Sequence, residues 1–411
     1  MNFIIIIGLI LILSGLTIII IKDFLCRNNN NVPVIRSCNN HKFCILIPAR
    51  DESKVIKDLL KSIKSQTYKV PMNDVYVIVE DEKDKTVKIC DKYKATVIVR
   101  KHLNLKRKGY ALDEAVKDIL KKGKKYDAYF IFDADNVLDK YFIENMISTY
   151  DNGYDLASGY RNVKNGDDSV VATTSSLMFS LINTIFNNRK IKETRNITFS
   201  GTGFYVTGSL IESWGGYPFH SLTEDYELSL YAILNNLTTY YNFDAVFYDE
   251  QPVKYKQTVP QRIRWIRGFF DTRRKYVPLL KESAKVKSNN HGSKIDEIIG
   301  IIQYVLIVVG LILWLLSLLV MSVYALIIKE PYINFILQFI FLLFLIYLVL
   351  FIITFIIIYI EKDKLKISLK SRIKALFYNP LFMFTYVPCA VKALLKKEVK
   401  WEKTEHGINE K

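Results

Sequence analysis

The residues best suited to chemistry include two acidic pairs, and the first of them closes a short apolar run. The segment Phe130–Asp135 reads FIFDAD, so an expected strand ends at Asp133 and Asp135. Residues two apart in an extended segment point the same way, and two carboxylates can therefore converge on one hard cation. An Mg²⁺ or Mn²⁺ ion held there would neutralise a departing diphosphate. The alternative is that both aspartates cap a turn before a helix expected from Lys140.

The second acidic pair, Glu224 and Asp225, precedes an apolar helical pattern over Tyr226–Leu234. Asp225 could serve as a general base that removes the proton of an acceptor hydroxyl. The alternative is structural, because Ser221 and Glu224 stand at the spacing of a capping box and acids suit the start of a helix. These residues alone favour the cap, although a capped helix start would also be a rigid platform for a base.

A basic and aromatic segment, Gln261–Arg267, reads QRIRWIR. In a helix Gln261, Arg264 and Trp265 share one face, which places a guanidinium for bidentate phosphate binding beside a ring on which a sugar can stack. A basic helix that carries tryptophan is also typical of a membrane surface.

Charged residues follow expected strands in the N-terminal half as well. Glu80 and Asp81 come directly after Val75–Val79, where an acid could hydrogen-bond a nucleoside; solvated surface charge is the alternative. Lys108 and Gly109 open a helix, and backbone N–H groups beside a cation could contact phosphate there. A solvated turn explains that segment equally well.

Strands and helices alternate around these residues. Short apolar runs predict strands over Phe43–Pro48, Val75–Val79, Ala95–Val99 and Tyr129–Phe132, and the helical patterns between them cover Val55–Ile63, Asp84–Tyr93 and Gly109–Lys121. This alternation predicts an α/β domain with a mostly parallel sheet, covered on both faces, whose ligands bind at the carboxyl ends of the strands.

Composition separates the middle of the chain from its ends. Half of the 411 residues are hydrophobic, yet charged residues concentrate between about positions 36 and 296. The net charge of +16 comes from scattered lysines, many of them beside apolar runs, so we expect membrane topology and no nucleic-acid binding. The five cysteines form no CxxC pair and are expected to be free thiols.

The apolar ends predict membrane segments. The run Ile4–Ile21 is expected to be a retained anchor with its N-terminus outside, because Lys22 follows the run instead of preceding it. The runs Ile298–Ile328 and Tyr332–Ile360 predict a hairpin of two spanning helices, and Ile373–Leu395 predicts an interfacial or re-entrant helix. The expected organisation is an anchor over 1–24, a cytoplasmic catalytic domain over 36–280, a linker over 281–296, a hairpin over 297–361 and a cytoplasmic tail with an interfacial helix over 362–411.

In chain order, the segments FCILIPARDE, KRKGYAL, FIFDAD, SGTGF, LTED and QRIRW resemble the inverting family 2 glycosyltransferases with a GT-A fold. That group contains the cellulose, hyaluronan, chitin and poly-N-acetylglucosamine synthases, and the resemblance spans Phe43–Arg267. It implies a multi-pass enzyme of the cell membrane. With Mg²⁺ or Mn²⁺, such an enzyme transfers a sugar from a nucleotide-diphosphate donor, a UDP-sugar above all, to a polysaccharide or lipid-linked acceptor at the cytoplasmic face.

The resemblance also assigns roles. It implies that Asp133 and Asp135 bind the metal, that Asp225 is the catalytic base beside Glu224, and that Gln261, Arg264 and Trp265 form the QxxRW motif, which holds the diphosphate and the acceptor end. Ser200–Phe204 would line the acceptor side. The residues expected at the nucleotide are Pro48, Arg50, Glu52, Glu80, Asp81, Lys108, Gly109 and Asp133.

Two departures from the family pattern leave alternatives open. The stretch VIVEDEKDKT replaces the usual aspartate and polar turn after the second strand, so Glu80 or Asp81 would contact the nucleoside. Only three spans are expected, so a polymer channel would need the interfacial segment, an oligomer or an accessory membrane subunit, and transfer of one or a few sugars to a lipid acceptor is the other option. A catalytically silent scaffold subunit of a polysaccharide synthase complex is the competing class.

Overall fold

The computed structural model describes residues 7–15, 40–328, 333–396 and 399. Its centre is an eight-stranded sheet with the order β3-β2-β1-β4-β7-β6-β8-β5. The strands are β1 (Phe43–Pro48), β2 (Val75–Val79), β3 (Thr96–Val99), β4 (Ala128–Ile131), β5 (Val137–Leu138), β6 (Leu156–Val163), β7 (Phe204–Thr207) and β8 (Thr239–Asp249).

Among the described residues the sheet is mixed, and four of its seven strand pairings are parallel, in keeping with the expectation of a mostly parallel sheet. Strands β3, β2, β1 and β4 pair in parallel, as the alternation of strands and helices predicts. Strand β7 then runs antiparallel to both β4 and β6, and β5 runs antiparallel to β8. The remaining pair, β6 with β8, is parallel and is the longest in the sheet.

Helices cover the sheet and continue beyond it. Numbered from the first one in the domain, they are α1 (Ile56–Lys64), α2 (Lys85–Tyr93), α3 (Lys108–Lys121), α4 (Phe142–Asp151), α5 (Val170–Ser180), α6 (Asn187–Lys192), α7 (Gly208–Trp214), α8 (Glu224–Leu234), α9 (Tyr255–Ser283), α10 (His291–Ile299), α11 (Ile302–Ile328), α12 (Ile333–Ile360), α13 (Leu369–Phe384) and α14 (Tyr386–Leu395). The bounds in the first half agree closely with the sequence patterns.

Strand β1 shows why the domain needs both layers of helices. Its side chains alternate, so Ile45 and Ile47 pack into one hydrophobic core while Cys44 and Leu46 pack into the other. Both sets are fully buried. Because the side chains of this strand are buried in two apolar cores, polar residues that could act on a ligand are confined to the loop that follows Pro48.

The stretch 281–296, expected as a mobile linker, is instead largely helical and packed against the domain. Helix α9 ends at Ser283 and α10 begins at His291. Asp296 accepts a hydrogen bond of 2.8 Å from Arg189, and Glu297 lies 3.2 Å from Lys190 and 3.2 Å from Arg273. These partners are distant in sequence, so the sequence pattern of the stretch gives no sign of them.

The C-terminal helices rest on the sheet domain. Val163 at the end of β6 shares an apolar cluster with Ile357 of α12 and Ala375 of α13. Among the described residues, one helical stretch, Phe339–Ile360, is long and apolar enough to cross a membrane. The turn expected at Lys329–Pro331 and most of the expected anchor over 1–24 lie outside the described residues, whereas 7–15 form a helix.

Candidate active site

Asp133 stands two residues beyond β4 and is held by the loop before β7. Its backbone N–H donates to Thr202 Oγ1 at 2.8 Å, and Thr202 in turn donates to Asn136 Oδ1. Asn136 Nδ2 donates to Asp135 Oδ1 at 3.1 Å. The two aspartates are therefore fixed by a hydrogen-bonded turn and do not cap α4, which begins seven residues later with no side-chain cap.

The electrostatics of Asp135 suit a cation. Desolvation, followed by the nearby carboxylates of Asp133 and Asp249, raises its pKa to about 7 against the lowering effect of Lys164 and Arg161. Among the described residues no set of three or more His, Cys, Asp and Glu side chains is arranged to hold a metal. A cation at Asp133 and Asp135 would therefore take its other ligands from phosphate and water, which is the usual arrangement for Mg²⁺.

The second acidic pair opens α8, but not through the capping box expected at Ser221 and Glu224. The N-cap is Thr223, with no side-chain cap hydrogen bond. The Ser221 N–H instead donates to Glu227 Oε2 at 3.0 Å. Glu224 is only 6% exposed and is directed into the domain. It is therefore a buried acid and does not form the expected capping box.

Lys108 joins the two acidic pairs. Its ammonium donates to Asp133 Oδ1 at 2.5 Å and to the Gly201 carbonyl at 2.6 Å, and it lies 3.9 Å from Glu224 Oε1. Burial lowers the pKa of Lys108, but Asp133 and Glu224 raise it by more, so the amine stays charged. Acids about ninety positions apart in sequence thus meet around one cation.

Asp225 lies across from the glycine-rich loop. A Cβ atom built on Gly201 would stand 3.6 Å from Asp225 Oδ2, and Gly201 has a φ of +89°, a conformation that favours glycine. Burial raises the pKa of Asp225, against the lowering effect of the Tyr226 N–H, Lys108 and Arg264. For Glu224 the same competition leaves the pKa at about 7. Asp225 therefore faces the glycine loop as a partly desolvated acid, as a general base at this position would require.

Helix α9 brings the basic and aromatic motif to the same place. Arg264 Nη1 donates to the Leu222 carbonyl at 3.0 Å, directly before the acidic pair. Gly268, one turn later, allows this approach, because a Cβ there would lie 2.5 Å from the Thr223 side chain. Gln261 lies on the same side of the helix by its spacing. The acidic pair and the QxxRW segment are thus neighbours in space.

Phe179 and Arg161 lie beside this motif and were not predicted from the sequence. The Trp265 ring meets Phe179 of α5 edge to face, with centroids 5.9 Å apart, and the Arg161 guanidinium lies 3.7 Å from the centre of the Phe179 ring. Arg161 also forms an ion pair with Asp249 and donates to the Ser200 carbonyl at 2.8 Å. Asp249 is 88 positions from Arg161, and no local pattern could have linked them.

The expected nucleotide residues gather at the ends of β1, β2 and β3. Arg50 Nε lies 3.0 Å from Glu80 Oε2, and Arg100 lies 3.6 Å from Glu80 Oε1. Asp81 instead accepts from the Lys83 N–H at 2.9 Å in a surface turn. Glu80 thus pairs with arginines and Asp81 belongs to a surface turn, a difference that the sequence does not show.

Pro48, Glu52 and Gly109, three further residues expected at the nucleotide, make local contacts. Pro48 ends β1, and the Glu52 N–H donates to Thr86 Oγ1 at 3.1 Å. Gly109 is required by close packing, since a Cβ there would stand 1.9 Å from the Phe219 carbonyl oxygen. This contact places Lys108 beside the segment that leads to Glu224.

Comparison with known proteins agrees with this arrangement. A curated relative, "Probable glycosyltransferase YdaM" of Bacillus subtilis (strain 168), is 26% identical over 247 residues, and the match covers 55% of each chain. The chain thus spans about half the length of that relative. A solved mannosyltransferase, PcManGT from Pyrobaculum calidifontis in complex with GDP-Man and Mn²⁺, shares the fold at 13% identity, with a TM-score of 0.62 over 96% of this chain and 100% of that one. The model of the family described as "Glycosyltransferase like family 2" matches residues 41–268, and the chain belongs to that family.

Proposed function

We propose that this chain is a membrane-anchored, metal-dependent, inverting glycosyltransferase. It transfers a sugar from a nucleotide-diphosphate donor, a UDP-sugar, to a polysaccharide or lipid-linked acceptor at the cytoplasmic membrane face. Family membership supports glycosyl transfer, and the fold relative was solved with a nucleotide sugar and Mn²⁺. The identity of the donor, the identity of the acceptor and the membrane side of the reaction are proposed on top of this.

The observation that carries the proposal is the contact of Lys108 with both acidic pairs. Its ammonium lies 2.5 Å from Asp133 and 3.9 Å from Glu224, so donor-side and acceptor-side acids face one cleft. Arg264 is bonded to the Leu222 carbonyl, two residues before Glu224. A diphosphate placed beside Lys108 and Arg264 would contact both cations, with the anomeric carbon near Asp225.

The proposed reaction is a single displacement. Asp225 takes the proton of the acceptor hydroxyl as its oxygen attacks the anomeric carbon, and the bond to the diphosphate breaks on the opposite side. A divalent cation bound by Asp133 and Asp135 would neutralise charge on the departing nucleoside diphosphate. Lys108 and Arg264 supply further positive charge at fixed positions.

The membrane assignment rests on the apolar helices. Phe339–Ile360 has the length and hydropathy of a spanning helix, and α11 before it exposes a row of apolar side chains such as Val308, Ile312 and Leu319. Helices α13 and α14 expose Phe377, Leu381, Val391 and Leu394, as an interfacial segment would. We propose that 297–361 form the membrane hairpin and that α13 and α14 lie at the cytoplasmic interface.

The test is release of nucleoside diphosphate by the purified full chain in membranes, with a panel of UDP- and GDP-sugars and with Mg²⁺, Mn²⁺ or a chelator. Release with one donor, dependent on metal and on added acceptor lipid or saccharide, is the expected result. Nucleotide binding without release from any donor would contradict the proposal and favour a silent subunit.

A further inference from the structure

Helix α9 has two faces around the QxxRW segment. At 100° per residue, Gln261, Arg264, Trp265 and Gly268 form one face, which we call the site face. Val259, Arg262, Ile263, Ile266 and Arg267 form the opposite one, which we call the packing face. The QxxRW pattern concerns the site face only, and the packing face carries residues of different types.

The packing face is covered by α14. Ile263 is buried in an apolar cluster with Cys389 and Ala393. At the far end Arg267 Nη1 donates to the Lys396 carbonyl at 3.0 Å, beyond the last turn of α14. Helix α14 therefore lies along the same turns of α9 that carry the motif.

Arg262 fixes the near end of this contact. It is 1% exposed, and its guanidinium lies 3.8 Å from the centre of the Phe382 ring and 4.3 Å from that of Tyr386. Its Nη1 donates to Thr385 Oγ1 at 2.6 Å. Thr385 is the junction between α13 and α14, so a stacked arginine fixes the motif helix at that junction.

Tyr386 connects the same junction to helix α5. Its hydroxyl contacts the sulfur of Met178 on α5. The next residue of α5, Phe179, meets Trp265. The junction therefore touches both helices whose side chains form the Trp265 contact.

We propose that Arg262 and Tyr386 are positioning residues of the transfer reaction, through which the membrane-side helices α13 and α14 set the placement of Arg264 and Trp265. The inference rests on the proposed function. Neither residue is among those assigned to the cleft; each acts by holding α9 in register with α5 and with the acidic pair at the start of α8. An error of about 1 Å in such placement can lower turnover about 100-fold.

The test compares Arg262→Met, Arg262→Lys and Tyr386→Leu with Arg274→Met, a matched control on an exposed position of the same helix. We expect Arg262→Met and Tyr386→Leu to lower kcat by roughly 10- to 100-fold while donor KM changes by less than about threefold, because Lys108, Asp133 and Asp135 stay in place and Arg264 acts mainly on the charge that develops as the diphosphate leaves. Arg262→Lys should recover little, since an ammonium cannot stack as a planar guanidinium does. Arg274→Met should match the wild type.

A second readout does not depend on activity. The chain has four tryptophans, so replacing the other three by phenylalanine leaves Trp265 as the only fluorescent indole. Arg262→Met in that background should change the Trp265 emission, and Arg274→Met should not. Unchanged emission and unchanged kcat in Arg262→Met would overturn the inference, as would equal losses in kcat and donor affinity. A wild type that turns over no donor would defeat the proposed function alone, because the emission change still tests the positioning.

Discussion

The acids at the nucleotide end of the cleft differ sharply from those at its centre. Glu80 at the end of β2 is 28% exposed and is matched by two arginines at 3.0 and 3.6 Å. At the centre, desolvation raises the pKa of Asp135 and of Glu224 to about 7, although Lys108 lies between the two acidic pairs. Glu80 thus has its countercharges in place, whereas Asp135 and Glu224 are acids whose charged form burial disfavours. Such acids are suited to gaining a cation or to exchanging a proton.

The largest expected effect follows from removing Asp225, the proposed base, at the centre. Asp225→Asn should lower kcat by about 100- to 10,000-fold, because the amide cannot accept the acceptor proton. Donor KM should change little. Steady-state release of nucleoside diphosphate measures both, and a variant with more than a tenth of wild-type kcat would rule out Asp225 as the base.

The dependence of kcat on pH should reflect the ionisation of the same residue. Burial raises the pKa of Asp225, and the base works only when ionised, so kcat should rise with pH through that raised value. The acid limb should therefore lie above the ordinary range of an aspartate, about 3.9. A kcat that stays flat down to pH 4 in wild-type protein would contradict this expectation.

Removing a donor-side acid of the centre should have the next largest effect. Asp135→Asn should raise the activation free energy by several kcal/mol, which lowers kcat on the order of 100-fold or more. It should also raise the metal concentration needed for the half-maximal rate. Titration of Mn²⁺ at saturating donor measures the second quantity. An unchanged metal requirement would show that the cation binds elsewhere.

Substitutions at the nucleotide end should have smaller effects, and these effects should distinguish Glu80 from Asp81. Glu80→Gln should raise donor KM about tenfold, the cost of losing a hydrogen bond to a charged group. Asp81→Asn should leave donor KM within about twofold, because its carboxylate serves a surface turn. The reverse ranking would assign the nucleoside contact to Asp81.

The smallest effect concerns stability. A buried carboxyl with a raised pKa favours the folded state below its unfolded pKa of about 4.5, and that contribution is lost as pH rises through about 7. Glu224→Gln should therefore raise Tm by a few degrees at pH 8 and leave it unchanged at pH 4. A lower Tm at pH 8 would mean that the ion pair with Lys108 outweighs the burial of charge.

The sequence predicted the nucleotide half of the domain better than the rest, for a physical reason. In β1 to β4, local periodicity decides each element, and the chemistry follows the strand ends directly. The mixed pairing of β7 and the docking of α10 depend on partners far away in the chain, such as Arg189 with Asp296. The capping box at Ser221 failed because Glu227 takes the backbone N–H instead.

The same distinction applies to the site. Its acidic pairs and the QxxRW segment could be found from residue type and spacing. Arg161, Phe179 and Arg262 could not, because each acts through residues that only folding brings near, as Arg262 does with Thr385. Pro260 inside α9 is a further example, since that helix continues through a residue that usually ends one.

The most direct test of the division between donor and acceptor acids measures donor binding and donor turnover side by side in wild type, Asp135→Asn and Asp225→Asn. Calorimetry with the nucleotide and Mn²⁺ gives binding, and nucleoside-diphosphate release from the active sugar donor gives turnover. Weakened metal-dependent binding in Asp135→Asn, with intact binding and lost turnover in Asp225→Asn, is the predicted result. Equal loss of binding in both variants, or turnover retained in Asp225→Asn, would contradict the account.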